Sequence, residues 1–252
     1  MILIYPDLAA LSAAAAQQFV AAACQAISQQ GRYTVALSGG STPRALFTLL
    51  ASKPYSQQIA WTQTHVFWGD ERCVPPDHPD SNYRLANETL LSQVPLPQEN
   101  VHRMPAELEP EQAATQYEQQ LQQFFHLPAG AFPCFDLVLL GMGADGHTAS
   151  LFPHTSGLHQ RTRLVVANYV PKLSTFRLTL TTPALNHAAR IMFLVAGQDK
   201  AATLKEVLYG PRQPEQLPAQ IIAPVKGQLV WLIDQAVSGC TSGASANGGP
   251  LV

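Results

Sequence analysis

A short apolar run that ends in three closely spaced glycines constrains the fold of this chain more than any other feature. The run, Phe135–Leu140, is typical of a strand that is buried on both faces of a parallel sheet. The glycines that follow, Gly141, Gly143 and Gly146, let the backbone turn sharply and leave N–H groups open to a ligand. Open α/β sheets bind their ligands beyond the carboxyl ends of such strands, so we expect a ligand site at this turn.

The same turn contains an acidic residue and a histidine, Asp145 and His147. Its glycine spacing matches the dinucleotide fingerprint, which also requires a carboxylate about 20 residues further on to hold the ribose. No Asp or Glu occurs between Asp145 and Asp199, so the sequence disfavours a dinucleotide site. The Asp-x-His pair indicates either a general base with a group that orients it, or a purely structural turn with a surface histidine.

The chain of 252 residues is long enough for one large α/β domain, which we predict over residues 1–237. Strands are predicted at Ile2–Tyr5, Tyr33–Leu37, His65–Trp68, Phe135–Leu140, Leu164–Val170, Phe176–Leu180, Arg190–Val195 and Gly227–Ile233. A proline-rich passage and a glutamine-rich helix form a predicted peripheral excursion near residues 95–126. The Gly/Ser-rich end, residues 238–252, is predicted to be a flexible tail.

The N-terminal sequence and the cysteines together predict a cytoplasmic protein. The alanine-rich segment from Leu8 to Ile27 is predicted to be an amphipathic helix and not a signal peptide, because the first basic residue is Arg32. Three glutamines interrupt the segment, and we expect no membrane span. The four cysteines are far apart and form no CxxC pair, which fits a reducing compartment.

The distribution of charge favours an anionic ligand in the second half of the chain. Residues 146–198 contain no acidic residue and five basic ones, which are Arg161, Arg163, Lys172, Arg177 and Arg190. This patch is too small for a nucleic-acid partner, and the sequence pI of about 6.4 agrees.

A second glycine turn, Ser38–Thr42, lies between the strand Tyr33–Leu37 and an apolar helix. Thr42 is predicted to be the N-cap of that helix and Pro43 its first residue. Free N–H groups and the helix dipole at such a turn favour phosphate. The lysine and glycine spacing of a P-loop are absent, and an ordinary capped turn is the alternative interpretation.

Charged residues also follow two further strands. Asp70 and Arg72 come directly after the strand His65–Trp68, where they form either a solvated loop or part of a site. The Arg72 guanidinium could bind a phosphate or carboxylate, and Asp70 could position a sugar hydroxyl or a histidine. Lys200 lies at the start of a predicted helix, where a cation is unfavourable for the helix itself. A bound anion would relieve that conflict.

Together these segments resemble the 6-phosphogluconolactonases, within a superfamily that includes glucosamine-6-phosphate deaminase and ribose-5-phosphate isomerase. The matching motifs are Ser38-Gly-Gly-Ser-Thr-Pro43, Trp68-Gly-Asp-Glu-Arg72 with Ser81-Asn82-Tyr83, Gly141-x-Gly-x-Asp-Gly-His-Thr-Ala-Ser-Leu-Phe-Pro153, and Arg177-x-Thr179-Leu180 with Gly197-x-x-Lys200-Ala201. The resemblance covers nearly the whole chain except the tail. It implies a three-layer α/β/α fold with a mainly parallel, Rossmann-like sheet.

The resemblance also implies an activity and a division of roles. The activity is hydrolysis of 6-phospho-D-glucono-1,5-lactone, with His147 as general base and with Asp145 or Asp70 holding its imidazole. The phosphate would be bound by the Ser38, Gly39, Gly40, Ser41 and Thr42 turn together with Arg72, Arg177 and Lys200. The implied partner is a small phosphorylated sugar lactone, and the protein is expected to be a monomer or a small homo-oligomer. Neither a cofactor nor a metal is expected, and neither is a nucleic-acid or membrane partner.

One departure from the family pattern is visible, and two alternative functions are considered. Leu173 and Ser174 stand where the family tends to have prolines after Lys172, which affects the expected loop shape and not the chemistry. A glucosamine-6-phosphate deaminase would have a glutamate five residues after the turn histidine, where this chain has Phe152. A non-catalytic sugar-phosphate sensor would need a DNA-binding module, for which the N-terminus leaves no room. The G-x-S-x-G elbow of serine hydrolases is absent.

Overall fold

The computed structural model of the chain describes residues 1–239, and nine strands and eight helices lie within them. The strands are β1 Ile2–Tyr5, β2 Tyr33–Leu37, β3 Thr64–Trp68, β4 Asp70–Arg72, β5 Leu137–Leu140, β6 Val165–Val170, β7 Thr175–Leu180, β8 Arg190–Val195 and β9 Gln228–Asp234. The helices are α1 Leu8–Gln30, α2 Ser41–Ala51, α3 Tyr55–Gln58, α4 Asn82–Thr89, α5 Pro110–Phe124, α6 Thr182–Asn186, α7 Ala201–Tyr209 and α8 Gln235–Ser238.

Six strands form a parallel sheet in the order β1-β9-β8-β5-β2-β3. All residues of the central strand β5 are buried, as expected for a strand covered on both faces. β5 pairs with β2 on one side, where Val35 is opposite Leu137, and with β8 on the other, where Leu139 is opposite Met192. The α/β fold with a mainly parallel sheet, predicted from the sequence, is confirmed.

A second sheet of three antiparallel strands, in the order β4-β7-β6, was not predicted. Asp70–Arg72, considered in the sequence as a loop or part of a site, forms strand β4 and pairs with β7. Gly69 joins the two sheets, because its N–H donates to Leu37 O and its carbonyl accepts from Leu180 N. A strand of three charged or polar residues has no apolar alternation, so its pairing with a segment more than 100 residues later leaves no local sequence signal.

Helix α1 is the one helix of the described residues that is long and apolar enough to cross a membrane. In the fold it is a core helix, because one face is buried against neighbouring helices and strands. Asp7 caps it by accepting a hydrogen bond from Ala10 N, and Gly31 ends it in the left-handed conformation (φ +76°). The helix starts where the alanine-rich segment Leu8 to Ile27 was predicted to start and continues to Gln30.

The segment near residues 95–126, predicted to be a peripheral excursion, contains helix α5, which packs on the second sheet. Tyr117 of this helix is fully buried, and its hydroxyl accepts a hydrogen bond from Trp68 N at 3.0 Å. At the other end of the chain, the predicted flexible tail starts at Ser238, but Ser238 is the last residue of helix α8. The rest of the predicted tail, from residue 240, lies outside the described residues. The division into a domain over 1–237 and a tail stays a prediction.

Candidate active site

A cavity of about 440 Å³ lies where turns after the parallel strands meet the second sheet. Every site residue predicted from the sequence lines it: Ser38, Gly39, Gly40, Ser41, Thr42, Asp70, Arg72, Asp145, His147, Arg177 and Lys200. The size is in the range typical of small-molecule sites. Segments far apart in the sequence therefore form one basin that contains both an imidazole and several cationic side chains.

His147 is held in the cavity by the carboxylate two residues before it. Its Nδ1 lies 2.5 Å from Asp145 Oδ1, and its backbone N–H donates to the same oxygen at 3.3 Å. The hydrogen bond from His147 holds the pKa of Asp145 well below its usual range, although partial burial of the carboxylate opposes this effect. An ionised Asp145 accepts the proton of Nδ1, which leaves Nε2 as the basic nitrogen. Nε2 has no hydrogen-bond partner among residues 1–239.

The glycine turn brings the backbone against the imidazole ring. Gly143 N donates to His147 O at 2.9 Å, and Gly146 N donates to Gly143 O at 3.0 Å. A Cβ atom at Gly143 would overlap the ring of His147, and Gly146 has a positive φ of +78°. The two glycines are therefore needed for this geometry: one lets the backbone approach the ring closely, and the other makes the turn.

Phe152 covers one face of the imidazole. The two rings stack with their centroids 4.0 Å apart and their planes 18° from parallel. Phe152 is itself buried, with 8% of its surface exposed. Its backbone carbonyl accepts hydrogen bonds from the N–H and the hydroxyl of Thr155, while its ring restricts the tilt of the imidazole by packing.

The structure distinguishes between the two carboxylates that the sequence offered as partners of His147. Asp145 contacts the imidazole, whereas Asp70 accepts a hydrogen bond from Ser150 Oγ at 2.7 Å. No hydrogen bond joins Asp70 to His147 in the part of the chain that the structure describes. These contacts favour Asp145 as the carboxylate that orients the imidazole, because β4 directs Asp70 to Ser150.

The Ser38–Thr42 turn differs in detail from its prediction. Helix α2 begins at Ser41 and its N-cap is Gly40, whose φ of +111° favours glycine. Thr42 is thus the second helical residue and not the cap, and Pro43 is the third. The helix starts early because the positive φ of Gly40 already turns the chain.

The first turn of α2 is open to a ligand. No side chain caps it, so the N–H groups of Ser41 and Thr42 have no side-chain acceptor. Ser38 Oγ is also buried in the cavity wall without a hydrogen-bond partner in residues 1–239. Unpaired buried donors beside a helix N-terminus indicate an anion site.

Two arginines face each other at this site. Arg72 and Arg177 are direct cross-strand partners in the β4–β7 pair, where like charges are unfavourable. Neither forms an ion pair with a carboxylate of residues 1–239. The Arg72 guanidinium donates to the backbone carbonyl of Asp80, and that of Arg177 donates to the carbonyl of Phe176. Burial and the nearby charge of Arg72 lower the pKa of Arg177. An anion bound between them would relieve this repulsion.

Lys200 also lines the cavity. It ends the 3₁₀ turn Gln198–Lys200 and is the N-cap residue of α7, where no side chain caps the helix. The conflict between its charge and the helix dipole, expected from the sequence, is therefore present in the fold.

Sequence reasoning missed two residues of this site. Lys172 Nζ lies 3.0 Å from Asp145 Oδ2, although 27 positions separate the two residues. The only signal for it was the acid-free basic stretch around it. Asn82, whose side-chain NH₂ donates to Asp70 O, packs so tightly against Gly39 that a Cβ atom there would overlap its side-chain oxygen. This contact explains the first glycine of the Ser38–Thr42 turn.

No group of three His, Cys, Asp or Glu side chains that could hold a metal ion occurs within residues 1–239.

Comparison with known proteins places the chain in a family. The sequence model described as "Glucosamine-6-phosphate isomerases/6-phosphogluconolactonase" matches residues 6–231. The chain belongs to this family. Its relatives include the 6-phosphogluconolactonase of Synechocystis sp., 49% identical over 84% of this chain and 85% of the relative. The enzyme of the same name from Nostoc sp. is 44% identical over 92% and 95%.

Solved structures of family members share the fold. A 6-phosphogluconolactonase from Thermotoga maritima superposes with a TM-score of 0.79 at 30% identity, over 93% of this chain and 99% of that one. A 6-phosphogluconolactonase from Trypanosoma cruzi gives 0.83 at 26% identity, with 96% of each chain covered. A monomeric glucosamine-6-phosphate deaminase, at 21% identity and a TM-score of 0.77, shows the shared fold alone.

Proposed function

We propose that this chain is a 6-phosphogluconolactonase, which hydrolyses 6-phospho-D-glucono-1,5-lactone to 6-phosphogluconate in the oxidative pentose phosphate pathway. One cavity contains the imidazole of His147 and a facing pair of arginines, and this observation carries the proposal. Within residues 1–239, the Nε2 of that imidazole has no hydrogen-bond partner and the arginines have no carboxylate partner. The names of the relatives, from 38% to 49% identical, support the same reaction.

His147 acts as the general base. A water molecule gives a proton to Nε2 while its oxygen attacks the carbonyl carbon of the lactone. The bond between that carbon and the ring oxygen then breaks, and the imidazolium returns the proton to the departing oxygen. The products are a carboxylic acid and a free hydroxyl group, and the acid then releases a proton to solvent to become the carboxylate. Neither a covalent intermediate nor an oxidant is required. Asp145 holds the ring in the correct tautomer and stabilises the imidazolium.

The phosphate is bound by groups from several elements. Arg72 and Arg177 bind it between β4 and β7, and Lys200, which lines the same cavity, adds a third positive charge. The open N–H groups of the Ser38–Thr42 turn and Ser38 Oγ supply neutral donors. Binding the phosphate far from the carbonyl orients the lactone toward His147. The binding energy of the phosphate contributes to catalysis through this orientation. Asp70, fixed by Ser150, is suited to accept a sugar hydroxyl.

The alternative of a glucosamine-6-phosphate deaminase is disfavoured by the side chain that packs on the histidine. Phe152 occupies the position where a deaminase has a glutamate, and its ring stacks on the imidazole. A phenyl ring neither accepts nor donates a proton, so a carboxylate relay to His147 is not possible here. The retained Asp145–His147 pair also argues against a sensor without catalytic activity.

A paired assay of the purified protein tests this function. Acid release from 6-phosphogluconolactone is followed in a pH-stat, with spontaneous hydrolysis subtracted, and ammonia release from glucosamine 6-phosphate is measured beside it. We expect enzymatic acid release and no ammonia. Ammonia release, or acid release at the spontaneous rate, would contradict the proposal.

The partner that we propose is a phosphorylated sugar lactone, and the protein is expected to act in the cytoplasm as a monomer or small homo-oligomer. The free thiols of Cys24, Cys73 and Cys134 support a reducing compartment. A relative from Arabidopsis thaliana, 38% identical, is named as chloroplastic, so compartments differ within the family. Fractionation of the source cells, with the protein detected by antibody, tests the location.

A further inference from the structure

Lys172 connects the second sheet to the turn that carries the histidine. It lies in the 3₁₀ turn Pro171–Leu173, between β6 and β7, and its side chain reaches the cavity. Its ammonium group is 3.0 Å from Asp145 Oδ2. Ser174, which follows this turn, adopts the left-handed conformation with φ of +50° and starts the return into β7. The hairpin thus delivers a cation directly to the carboxylate behind His147.

The two oxygens of Asp145 are divided between two partners. Oδ1 accepts hydrogen bonds from the imidazole Nδ1 and the backbone N–H of His147, while Oδ2 accepts one from Lys172 and from no other residue of the described part of the chain. The carboxylate is therefore held from both sides, and it cannot rotate without losing one contact. Its side chain is 25% exposed, whereas that of Lys172 is 68% exposed.

We propose that Lys172 is a positioning residue of the hydrolytic site, whose charge balances that of Asp145 and so keeps the imidazole of His147 unprotonated and ready to act as a base. This inference rests on the proposed lactonase function and concerns the same site. With a neutral imidazole, Asp145 and Lys172 carry opposite charges that cancel. Without Lys172, the imidazole would face an uncompensated carboxylate, which favours the imidazolium.

No other charged group that lines the cavity balances the charge of Asp145 in the way that Lys172 does. The ionisable side chains that line the same cavity are Asp70, Arg72, Arg177 and Lys200. Asp70 is bound to Ser150, and none of the three cations forms an ion pair with Asp145. Phe152, on the face of the ring, is apolar. Among residues 1–239, Lys172 is the one lysine or arginine within ion-pair distance of that carboxylate.

The expected effect is modest, because the ammonium is exposed to solvent. Exposed ion pairs contribute little to the stability of the fold. A unit charge about 6 Å from a titrating group nevertheless changes the pH at which that group titrates by about 0.5 at low salt. The effect should therefore appear in a pH profile and not in folding. It should also shrink as the ionic strength rises, since the charges are screened.

The test compares Lys172→Met, Lys172→Glu and Lys172→Arg with the wild type. Rates of lactone hydrolysis are measured from pH 5 to 8 at low ionic strength, and both kcat and kcat/KM are fitted. We expect the acidic limb to move to higher pH by about 0.5 unit in Lys172→Met and further in Lys172→Glu, and to stay in place in Lys172→Arg. High salt should reduce the shift in both affected variants.

A matched control is Lys226→Met, an exposed lysine just before β9 and outside the cavity lining. A limb that does not move in Lys172→Met and Lys172→Glu, or that moves equally in Lys226→Met, would overturn the inference. So would a loss of rate at all pH values without a shift of the limb, because that indicates a structural role alone.

A second measurement separates this inference from the proposed function. The ring nitrogens of His147 are titrated by ¹⁵N NMR in the wild type and in Lys172→Met, with no substrate present. A higher titration midpoint in the variant supports the role of Lys172 whatever the protein hydrolyses, and an equal midpoint overturns it. Failure of the wild type to hydrolyse the lactone would refute the proposed function only.

Discussion

At the scale of single residues, the division of work between two carboxylates is the detail that the sequence left open. Asp145 and Asp70 were both candidates to orient His147, and only the fold decides between them. Asp145 reaches the ring because a turn with two glycines brings residues two apart into contact. Asp70 is directed to Ser150, a residue 80 positions away, by its place in the second sheet. Contacts within one turn can be predicted from spacing, whereas contacts between sheets cannot.

Replacement of His147, the proposed base, should abolish most of the rate of lactone hydrolysis and leave binding of the lactone largely intact. For His147→Ala we expect kcat to fall by about 100-fold or more, because general bases typically contribute 10²–10⁴-fold, with little change in KM. Steady-state kinetics in the pH-stat measure both constants. His159→Ala, at an exposed histidine outside the cavity lining, is the control and should keep wild-type rates. Unchanged turnover in His147→Ala would remove this residue from the role of base.

Replacement of a cation that we propose to bind the phosphate should lower the activity on a phosphorylated substrate more than that on an unphosphorylated one. For Arg177→Met and Lys200→Met we expect kcat/KM to fall about 10- to 100-fold for the phosphorylated lactone, the usual range for a lost charge-assisted hydrogen bond. Glucono-1,5-lactone, which has no phosphate, should be affected much less. Lys205→Met, at an exposed position of α7, is the matched control for Lys200. Equal losses with both lactones would argue against the clamp.

At the scale of elements, the strands and helices with a clear apolar period were predicted to within a few residues. Strand β8 was predicted with the boundaries that the structure has, Arg190–Val195. The start of α2 was placed wrongly because cap preferences pointed to Thr42, while a glycine with positive φ sets the real start. Strand β4 was missed altogether, since it is a strand only through its pairing with β7.

A cluster of histidines between β3 and α5 should make the stability of the fold depend on pH. His102 stacks on Phe67 with the ring planes 11° apart, lies 3.2 Å from a ring nitrogen of His65, and contacts Gln120 at 3.3 Å. Burial, followed by the neighbouring His65, lowers the pKa of His102 to about 4. The pKa of His65 is also lowered, by burial and by the charge of Arg32. The fold therefore favours the neutral form of both rings.

The sign of the effect follows from this lowered pKa. The unfolded chain binds a proton at His102 near pH 6.5, whereas the folded chain binds it only near pH 4, so stability is complete above pH 6.5 and is lost as the pH falls toward 4. We expect a loss of about 1–2 kcal/mol in unfolding free energy, less than the full shift would give because the ring is partly exposed. Urea unfolding at several pH values measures it. His102→Gln should flatten the dependence, and His126→Asn, at an exposed histidine, should not; a wild-type slope in His102→Gln would contradict the assignment.

At the scale of the whole molecule, the site exists because two sheets meet. The parallel sheet supplies the imidazole, its carboxylate and the open helix N-terminus, and the antiparallel sheet supplies the arginine pair and Lys172. The sequence predicted the residues of the parallel sheet as two glycine turns after strands. It predicted the residues of the antiparallel sheet only as isolated charges. The convergence of these residues in one cavity, and the meeting of Lys172 with Asp145, follow from the packing of strands far apart in the chain, which no local pattern encodes.

This division between the sheets has a thermodynamic consequence that can be measured. A ligand that contacts both sheets binds only the folded chain, so it stabilises the fold as its concentration rises above its dissociation constant. At a 100-fold excess over that constant, 6-phosphogluconate should add about 2.7 kcal/mol, which raises Tm by about 5–10 °C for a domain of this size. Scanning calorimetry at matched ionic strength measures the shift, with gluconate as the control that lacks the phosphate. We expect gluconate to give a much smaller Tm shift. In Arg177→Met, the Tm shifts with 6-phosphogluconate and with gluconate should be nearly equal. Because the arginine lies on one sheet and the histidine turn on the other, equal stabilisation by the two ligands in the wild type would mean that the cavity does not bind the phosphate and the sugar acid together.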